Sequence, residues 1–332
     1  MLTLAIETSC DDTSVAVVEK PNIVLSNVVA SQIATHIKYG GVVPEIASRM
    51  HIEAIEFCVK EALNQANKML KDIDFISVTQ GPGLVGSLLV GVSFAKALSV
   101  ATDIPVVGVN HMRGHIASCY ISNHELKPPY IALVISGGHT YIMDVEDYNT
   151  MHKMGETRDD ATGESYDKVA RVLGIGYPGG AELESLAEKG RDNLNFPRIY
   201  LEKDSFDFSF SGLKTAVINY INTETMKGHV LNREDIAKSF QSAVIDVIVE
   251  KVIRAAKLRG RKQIAISGGV SNNKAIRNAI AEAGEKSGIE VFYPEPKYTG
   301  DNAAMIGVEG FLAYERAGES PINFVADPNM GL

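Results

Sequence analysis

Cysteine is scarce. The chain has three, Cys10, Cys58 and Cys119, an odd number set far apart. That pattern argues against a disulfide framework and for a reducing cytosol, so a cytoplasmic location is expected. Positive charge is also short. The net charge is −9, whereas a protein that gripped nucleic acid by charge alone would be basic. A local patch is still available, and K-L-R-G-R-K at 257–262 is a candidate. The plainer reading of that stretch is the cationic end of a helix closed by glycine. Long apolar runs are missing, and none is expected to reach the roughly 18 residues that span a bilayer. The amino terminus, MLTLAIETSC, has no basic segment and meets Glu7 early, so no secretory signal and no membrane contact are expected. No low-complexity tract or linker-like run interrupts the chain. At 332 residues, 45% hydrophobic and 22% charged, the composition is globular and the length suits two domains.

What is present alternates between strand and helix patterns. L-T-L-A-I and S-V-A-V-V flank a polar turn, E-T-S-C-D-D-T, and predict a hairpin. A similar unit returns at 130, with Y-I-A-L-V-I, S-G-G-H-T and Y-I-M-D-V. Further strands are predicted at 75–79, 105–109, 263–267 and 289–293. Helices are predicted at 44–67, 86–101, 162–173, 211–221, 233–258, 273–282 and 302–317, with Pro44 suited to a first turn. Strands alternating with helices imply mostly parallel sheets with helices outside, and two hairpins opening two halves imply duplication. The stretch 193–210 has little periodicity and reads as a long ordered loop.

Gly81-Pro-Gly83-Leu-Val-Gly86 matches the dinucleotide fingerprint G-x-G-x-x-G. It is rejected as a cofactor loop. Asp103, about 20 residues on, precedes a strand, whereas the ribose-binding acid belongs at a strand's end. The glycines are expected to serve a tight strand-to-helix turn.

The turns Glu7–Thr13, Ser136–Thr140 and Ser267–Val270 are different. Glycine permits close backbone approach, and backbone N–H groups there can cradle a phosphate or carboxylate. Three such turns in a duplicated α/β chain describe a nucleotide held in a cleft between two lobes, as in the sugar-kinase, heat-shock and actin superfamily. The expected fold is therefore α/β, a duplicated actin-like ATPase fold. One lobe comprises 1–108 with about 300–332, and the other 109–299. Asp167 falls on a helix that is expected to face the cleft. Alone it also reads as a solvated carboxylate paired with Arg171 one turn on.

His111 and His115 lie in N-H-M-R-G-H, four residues apart and so on one face of a helix. That spacing suits two ligands of one metal ion. It also resembles the zinc-protease motif H-E-x-x-H, but Met112 stands where the protease keeps its glutamate base. Two ordinary helix-surface histidines are the bland alternative, and each imidazole is expected to be exposed.

Taken in order, I-E-T-S-C-D-D-T, G-G-V-V-P-E-I-A-S-R, Q-G-P-G-L-V-G-S-L, N-H-M-R-G-H, V-I-S-G-G-H-T, D-D-A-T-G-E-S-Y-D-K, G-Y-P-G-G, F-S-F-S-G-L-K-T and G-D-N-A-A-M span the chain. Together they resemble the TsaD family of tRNA N6-adenosine threonylcarbamoyltransferases. The archaeal and eukaryotic branch carries a tyrosine metal ligand where this chain has Val134, and asparagine where it has His139, so the resemblance is to the bacterial branch. It implies that His111, His115 and Asp301 hold one divalent metal, usually Fe(2+), although the ligand set would accept Zn(2+) equally. Asp301 alone would read as a helix N-cap.

The resemblance further implies transfer of the threonylcarbamoyl group from threonylcarbamoyl-adenylate to N6 of adenosine 37 in tRNAs that read ANN codons. It sets the adenylate against Asp167, Gly180, Glu184 and Asn273, and the turn Val134, Ile135, Ser136, Gly137 and Gly138 near the reacting end. Asp11 is the candidate base for the amine proton. The implied partners are tRNA, a smaller paralogous protein of the TsaB type and an ATPase of the TsaE type. A sugar or acyl-group kinase of the same superfamily would share the turns but would not need the His-His-Asp trio. A non-catalytic scaffold paralogue would lack the histidines.

Overall fold

The computed structural model describes residues 1–332. They form two compact units, Met1–Leu126 with Pro294–Leu332, and Lys127–Tyr293. These boundaries differ from the expected ones at 108/109 and about 300. The helix that follows residue 110 stays with the first unit because it packs along the last helix of the chain.

Unit 1 holds β1 (Leu2–Glu7), β2 (Asp12–Glu19), β3 (Ile23–Ser31), β4 (Phe75–Gly81) and β5 (Val106–Asn110). Its helices are α1 (Ile33–His36), α2 (Pro44–Gln65), α3 (Val85–Thr102), α4 (His111–Ser122) and α10 (Ala303–Ala317). The sheet order is β3-β2-β1-β4-β5. The first three strands are antiparallel neighbours, while β4 and β5 run parallel to β1. Helices cover both faces, so β1 is apolar and buried nearly throughout rather than alternating. On one face Leu4, Ile6, Val15, Ile76 and Val78 meet Ile55 and Val59 of α2 and Val92 and Ala95 of α3. On the other lies α10. Its glycines make the approach possible: a Cβ at Gly307 would lie 2.5 Å from Val18 Cγ2, and one at Gly310 2.6 Å from Ser77 Cβ.

One expectation needs correction. Helix α3, over its 18 residues, is long and apolar enough by length and composition to cross a membrane. Its apolarity has another visible cause. One side packs into the core through Leu88, Val92 and Ala95, while Val85, Leu89 and Val100 on the other side are exposed.

Unit 2 repeats the topology. β6 (Tyr130–Ile135), β7 (Thr140–Val145), β8 (Met151–Glu156), β9 (Gln263–Ser267) and β10 (Glu290–Phe292) lie in the order β10-β9-β6-β7-β8. Again three strands form an antiparallel meander and two run parallel to its first strand. The helices are α5 (Thr162–Val172), α6 (Gly180–Ala187), α7 (Ser211–Met226), α8 (Arg233–Arg259) and α9 (Lys274–Ser287). The stretch from Asn193 to Phe210 has no named helix or strand, yet it is held. Phe196, Phe206, Phe208 and Phe210 are buried in the core. Asp159 accepts from the Ser209 hydroxyl and the Phe210 amide, and Asp160 takes Lys168 at 2.6 Å and Lys214 at 2.9 Å. The D-D-A-T-G and F-S-F-S-G-L-K-T motifs are thus tied to each other.

The contact between α10 and the sheet generates a prediction. Alanine in place of a mid-helix glycine gains about 1 kcal/mol of helix propensity, but overpacking a closed contact costs about 1–3 kcal/mol. With Ser77 Cβ at 2.6 Å and Ser77 itself fully buried, the clash is expected to win. Gly310→Ala should lower the thermal midpoint, and a raised midpoint in calorimetry would show that the contact yields freely.

Candidate functional site

The carboxyl end of β5 runs directly into α4. Asn110 ends the strand and caps the helix, its side-chain oxygen accepting from the amides of Met112 at 2.9 Å and Arg113 at 3.1 Å. The cap fixes the first turn, and His111 and His115 then share a face with ring centroids 4.7 Å apart. Asp301 arrives from the far end of the sequence, immediately before α10. Its Oδ1 lies 3.5 Å from His111 Nε2 and 3.2 Å from His115 Nε2. The ligand atoms of the three side chains all fall within 4.8 Å of one another. Two imidazoles and one carboxylate leave coordination positions open, as a catalytic metal requires.

Two sequence expectations fail here. The imidazoles are not exposed: His111 is 5% and His115 0% accessible, because α4 is sandwiched under α10. Gly114 permits this, since a Cβ there would stand 2.8 Å from Ile306 Cδ1. Nor is Asp301 the cap of α10. That role belongs to Asn302, whose side chain accepts from the Met305 amide at 3.1 Å, and the Asp301 carboxylate is left to face the histidines. His115 carries the clearest sign of a missing partner: Nδ1 is buried without a hydrogen bond, and Nε2, also buried, has only the Asp301 carboxylate at 3.2 Å, poorly aligned. Buried polar groups are nearly always paired, so the donor set fits a metal ion.

Behind the triad lies a residue that sequence reasoning passed over. Glu7, fully buried at the end of β1, brings Oε2 to 2.9 Å from His111 Nδ1 and accepts from Thr79 Oγ1 at 2.6 Å. Its other oxygen accepts the Ser9 amide. Burial works against its charge, but the charge and hydrogen bond of His111, with the Ser9 hydrogen bond, together hold the Glu7 carboxyl below its usual range. Burial likewise opposes the imidazolium of His111, yet Glu7 and Asp301 together lift it to about 10. Asp301 is held well below the carboxylate range by His111 in spite of burial. The available signal was a carboxylate ending an otherwise apolar strand.

The rest of the first turn is braced. His51 lies 2.7 Å from Thr13 Oγ1 through Nδ1 and 2.9 Å from the Cys10 carbonyl through Nε2. Burial and the charges of Asp11 and Asp301 push the Cys10 thiol far up. Asp11 is partly exposed in this turn, and it lies outside the metal-type trio. Asp12 has one buried oxygen without a partner, and burial, with the charges of Asp11 and Asp301, raises it to about 7.

In unit 2 the expected substrate residues form a chain of neighbours. Val134 and Ile135 are fully buried at the end of β6, so only their backbone can meet a ligand. The Ser136–Thr140 turn closes on itself through the Ser136 amide and His139 carbonyl at 2.8 Å. Gly137 and Gly138 are exposed, and a Cβ on either would meet nothing. The second S-G-G turn abuts the first: Gly268, at φ 88°, would drive a Cβ to 2.3 Å from the Ile135 carbonyl. Asn273 caps α9 by accepting from the Ile276 amide and donates to Gln241. Glu184 accepts from the Lys274 amide.

Asp167 accepts from the Gly179 amide at 2.8 Å and also from Gly180. It therefore braces the Y-P-G-G turn as well as sensing Arg171, and burial raises its carboxyl. Gly180 itself faces open space.

The two decoys resolve. Around Gly81 and Gly83 the room is filled by protein: their Cβ atoms would meet the Asp327 carbonyl at 1.8 Å and the Ser9 carbonyl at 2.5 Å. The basic stretch is a helix end, with Gly260 at φ 65° closing α8. Arg261 and Arg259 pair with Asp144 at 2.7 and 3.4 Å.

Two measurements check the site. His111→Asn, His115→Asn and Asp301→Asn should each cost more metal affinity than the roughly 10- to 100-fold lost with a supporting residue. Wild-type metal content in any of them, by elemental analysis, would refute the trio. Separately, a raised carboxyl contributes stability that is present below the ordinary aspartate range and lost as pH rises through the folded value, here about 7 for Asp12. Asp12→Asn should therefore raise the thermal midpoint of metal-free protein more at pH 8 than at pH 4. An equal effect at both would show that burial of the charge is not limiting.

Comparisons agree on one family. The model of the family "TsaD: tRNA N6-adenosine threonylcarbamoyltransferase" matches residues 23–308. The protein of that description from Clostridium novyi is 53% identical over 331 residues, covering 99% of this chain and 97% of its own. The one from Clostridium beijerinckii is 50% identical over 330 residues, with the same coverage. Among solved structures, full-length HypF in its phosphate- and nucleotide-bound form aligns with TM-score 0.65 at 15% identity, over 96% of this chain and 47% of that one. The activator of 2-hydroxyisocaproyl-CoA dehydratase from Clostridium difficile aligns with TM-score 0.54 at 14% identity, over 97% and 99%. At such identities these structures speak to the actin-like ATPase fold alone. The sequence relatives and the family match speak to kinship, and the chain belongs to the TsaD family of tRNA N6-adenosine threonylcarbamoyltransferases.

Proposed function

We propose that the chain transfers the threonylcarbamoyl group of threonylcarbamoyl-adenylate to N6 of adenosine 37 in tRNAs reading ANN codons, in the cytoplasm. The observation that carries this reading is the His111–His115–Asp301 trio, two buried imidazoles and a partly exposed carboxylate, in a chain of this family. These three side chains hold one divalent metal. Fe(2+) is our assignment, and the same donors suit Zn(2+). Bound there, the ion supplies Lewis-acid polarisation of the carbonyl under attack.

The other groups are assigned to binding and proton transfer. The acceptor amine attacks the carbamoyl carbon, the C–O bond to the adenylate phosphate breaks, and Asp11 takes the amine proton. Adenylate is a good leaving group and needs little acid help. Backbone amides of the Val134, Ile135, Ser136, Gly137 and Gly138 segment stabilise the developing negative charge, and the open space over Gly137 and Gly138 supports this. Asp167, with Gly180 beside it, takes the ribose hydroxyls, and Asn273 and Glu184 border the nucleotide. Each of these polar side chains already serves at least one internal hydrogen bond, which holds it in position for a further one.

The exposed apolar side of α3, at Val85, Leu89 and Val100, is the surface we assign to a smaller paralogous partner of the TsaB type. An ATPase partner of the TsaE type completes the system.

The decisive test supplies metal-loaded protein with both partners, ATP, bicarbonate, labelled threonine and unmodified tRNA. Label should enter tRNA at the adenosine beside the anticodon, and its failure to do so would end the proposal. Asp167→Asn probes one assignment. Losing a charge-assisted hydrogen bond costs about 1.5–3 kcal/mol, roughly ten- to a hundredfold in affinity. Adenylate affinity should fall by that factor. A lowered thermal midpoint with unchanged affinity would leave Asp167 only its brace on the Gly179 turn.

A further inference from the structure

We infer that Glu7 is the positioning residue of the metal site: it holds His111 in the one tautomer and ring orientation that offer Nε2 to the ion. The inference rests on the metal reading of the His111–His115–Asp301 trio and goes one layer behind it. An ionised carboxylate can only accept hydrogen bonds. Glu7 Oε2 lies 2.9 Å from His111 Nδ1, so that nitrogen carries the proton and donates it. The other nitrogen, Nε2, faces Asp301 and is the one left to an ion, which takes the place of its proton. Metal-bound histidines are regularly fixed by such a partner on their second nitrogen.

Glu7 is itself fixed. It is fully buried, Thr79 Oγ1 donates to Oε2 at 2.6 Å, and the Ser9 amide donates to Oε1. With both oxygens occupied inside the protein, this carboxylate orients a ligand and does not reach substrate. Ser9 Oγ, 3.2 Å from the same imidazole nitrogen, closes the remaining approach to it. The two histidines are consequently unlike. His111 is held from behind, whereas His115 Nδ1 has no partner, so His111 is the preformed ligand and His115 the one whose setting depends on the ion. Charge fits as well: two carboxylates and two neutral imidazoles balance one divalent cation, which is what a buried cluster needs.

The test measures the affinity of metal-free protein for Co(2+) and Zn(2+) by competition with a chelator, together with the visible absorption of the Co(2+) form. Glu7→Gln keeps size and an acceptor but loses the charge. It should weaken binding about tenfold, and Glu7→Ala about a hundredfold, with the Co(2+) absorption bands shifted in both. Thr79→Val leaves the carboxylate in place and removes one of its restraints, so it should weaken binding less and in the same direction. It also keeps the inference testable if the Glu7 variants do not fold. Variants that bind Co(2+) with wild-type affinity and spectrum, whatever their thermal midpoints, would overturn the role of Glu7 and leave the metal site standing. A wild-type protein that binds neither ion would overturn the metal reading and this inference with it.

Discussion

Unit 1 depends on burying charge where its parallel strands end. Glu7 and Asp301 bracket His111, one carboxylate at each ring nitrogen, with gaps of 2.9 and 3.5 Å. Isolated charges in such a place would be strongly unfavourable, and paired ones stay only if their remaining donors and acceptors are met. The surrounding structure meets them. β4 supplies Thr79, the first turn supplies the Ser9 amide, and Asn110 sets the helix that carries both histidines. Asp301 comes from the other end of the chain, and α10 must therefore return across the same sheet. The glycines at 114, 307 and 310 follow from that return, because each sits where a side chain would hold α10 off its neighbours.

Unit 2 uses the same five-strand order for a different purpose. The carboxyl ends of β6 and β9 lead into Ser-Gly-Gly turns, whereas the histidines of unit 1 follow β5. Its polar groups brace turns and cap helices: Asp167 on the Gly179 amide, Glu184 on Lys274, Asn273 on Ile276. Duplication has kept the scaffold and exchanged the chemistry at the strand ends, the usual location of function in open α/β sheets.

Much of this was legible in the sequence. Both hairpins show because each joins two apolar runs across a short polar turn, and the long helices show by period. The motif order carried the family. β3 and β8 were not anticipated, since they pair on only one side and carry mixed residues such as Ser26, Asn27, His152 and Lys153. The burial of His111 and His115 was misjudged for a related reason. A four-residue spacing states which side chains share a face, but not whether another helix covers it, and the covering helix lies near the opposite end of the chain. Asp301 and Asn302 are both good capping residues, and only the geometry of α10 separates them. Glu7 was hidden by its position in a turn already set aside for phosphate binding.

Glycine had the most ambiguous meaning in the sequence, and the structure divides its uses by what stands opposite each one. At Gly81 and Gly83 the neighbours are carbonyls of Asp327 and Ser9, so those glycines admit protein backbone and leave no room for a dinucleotide. At Gly268 the neighbour is the end of β6, so that glycine brings two turns together. At Gly137, Gly138, Gly180 and Gly269 an added Cβ would meet nothing. Packing does not account for glycine at these four positions, and none has a positive φ between +20° and +160° that would demand it. Open space at these four positions leaves room for a ligand to approach the backbone, although Gly176, Gly300 and Gly331 are open in the same way. All four lie in the turns and helix starts of unit 2 where the adenylate is assigned. The G-x-G-x-x-G of unit 1, formally the better motif, has its space already filled.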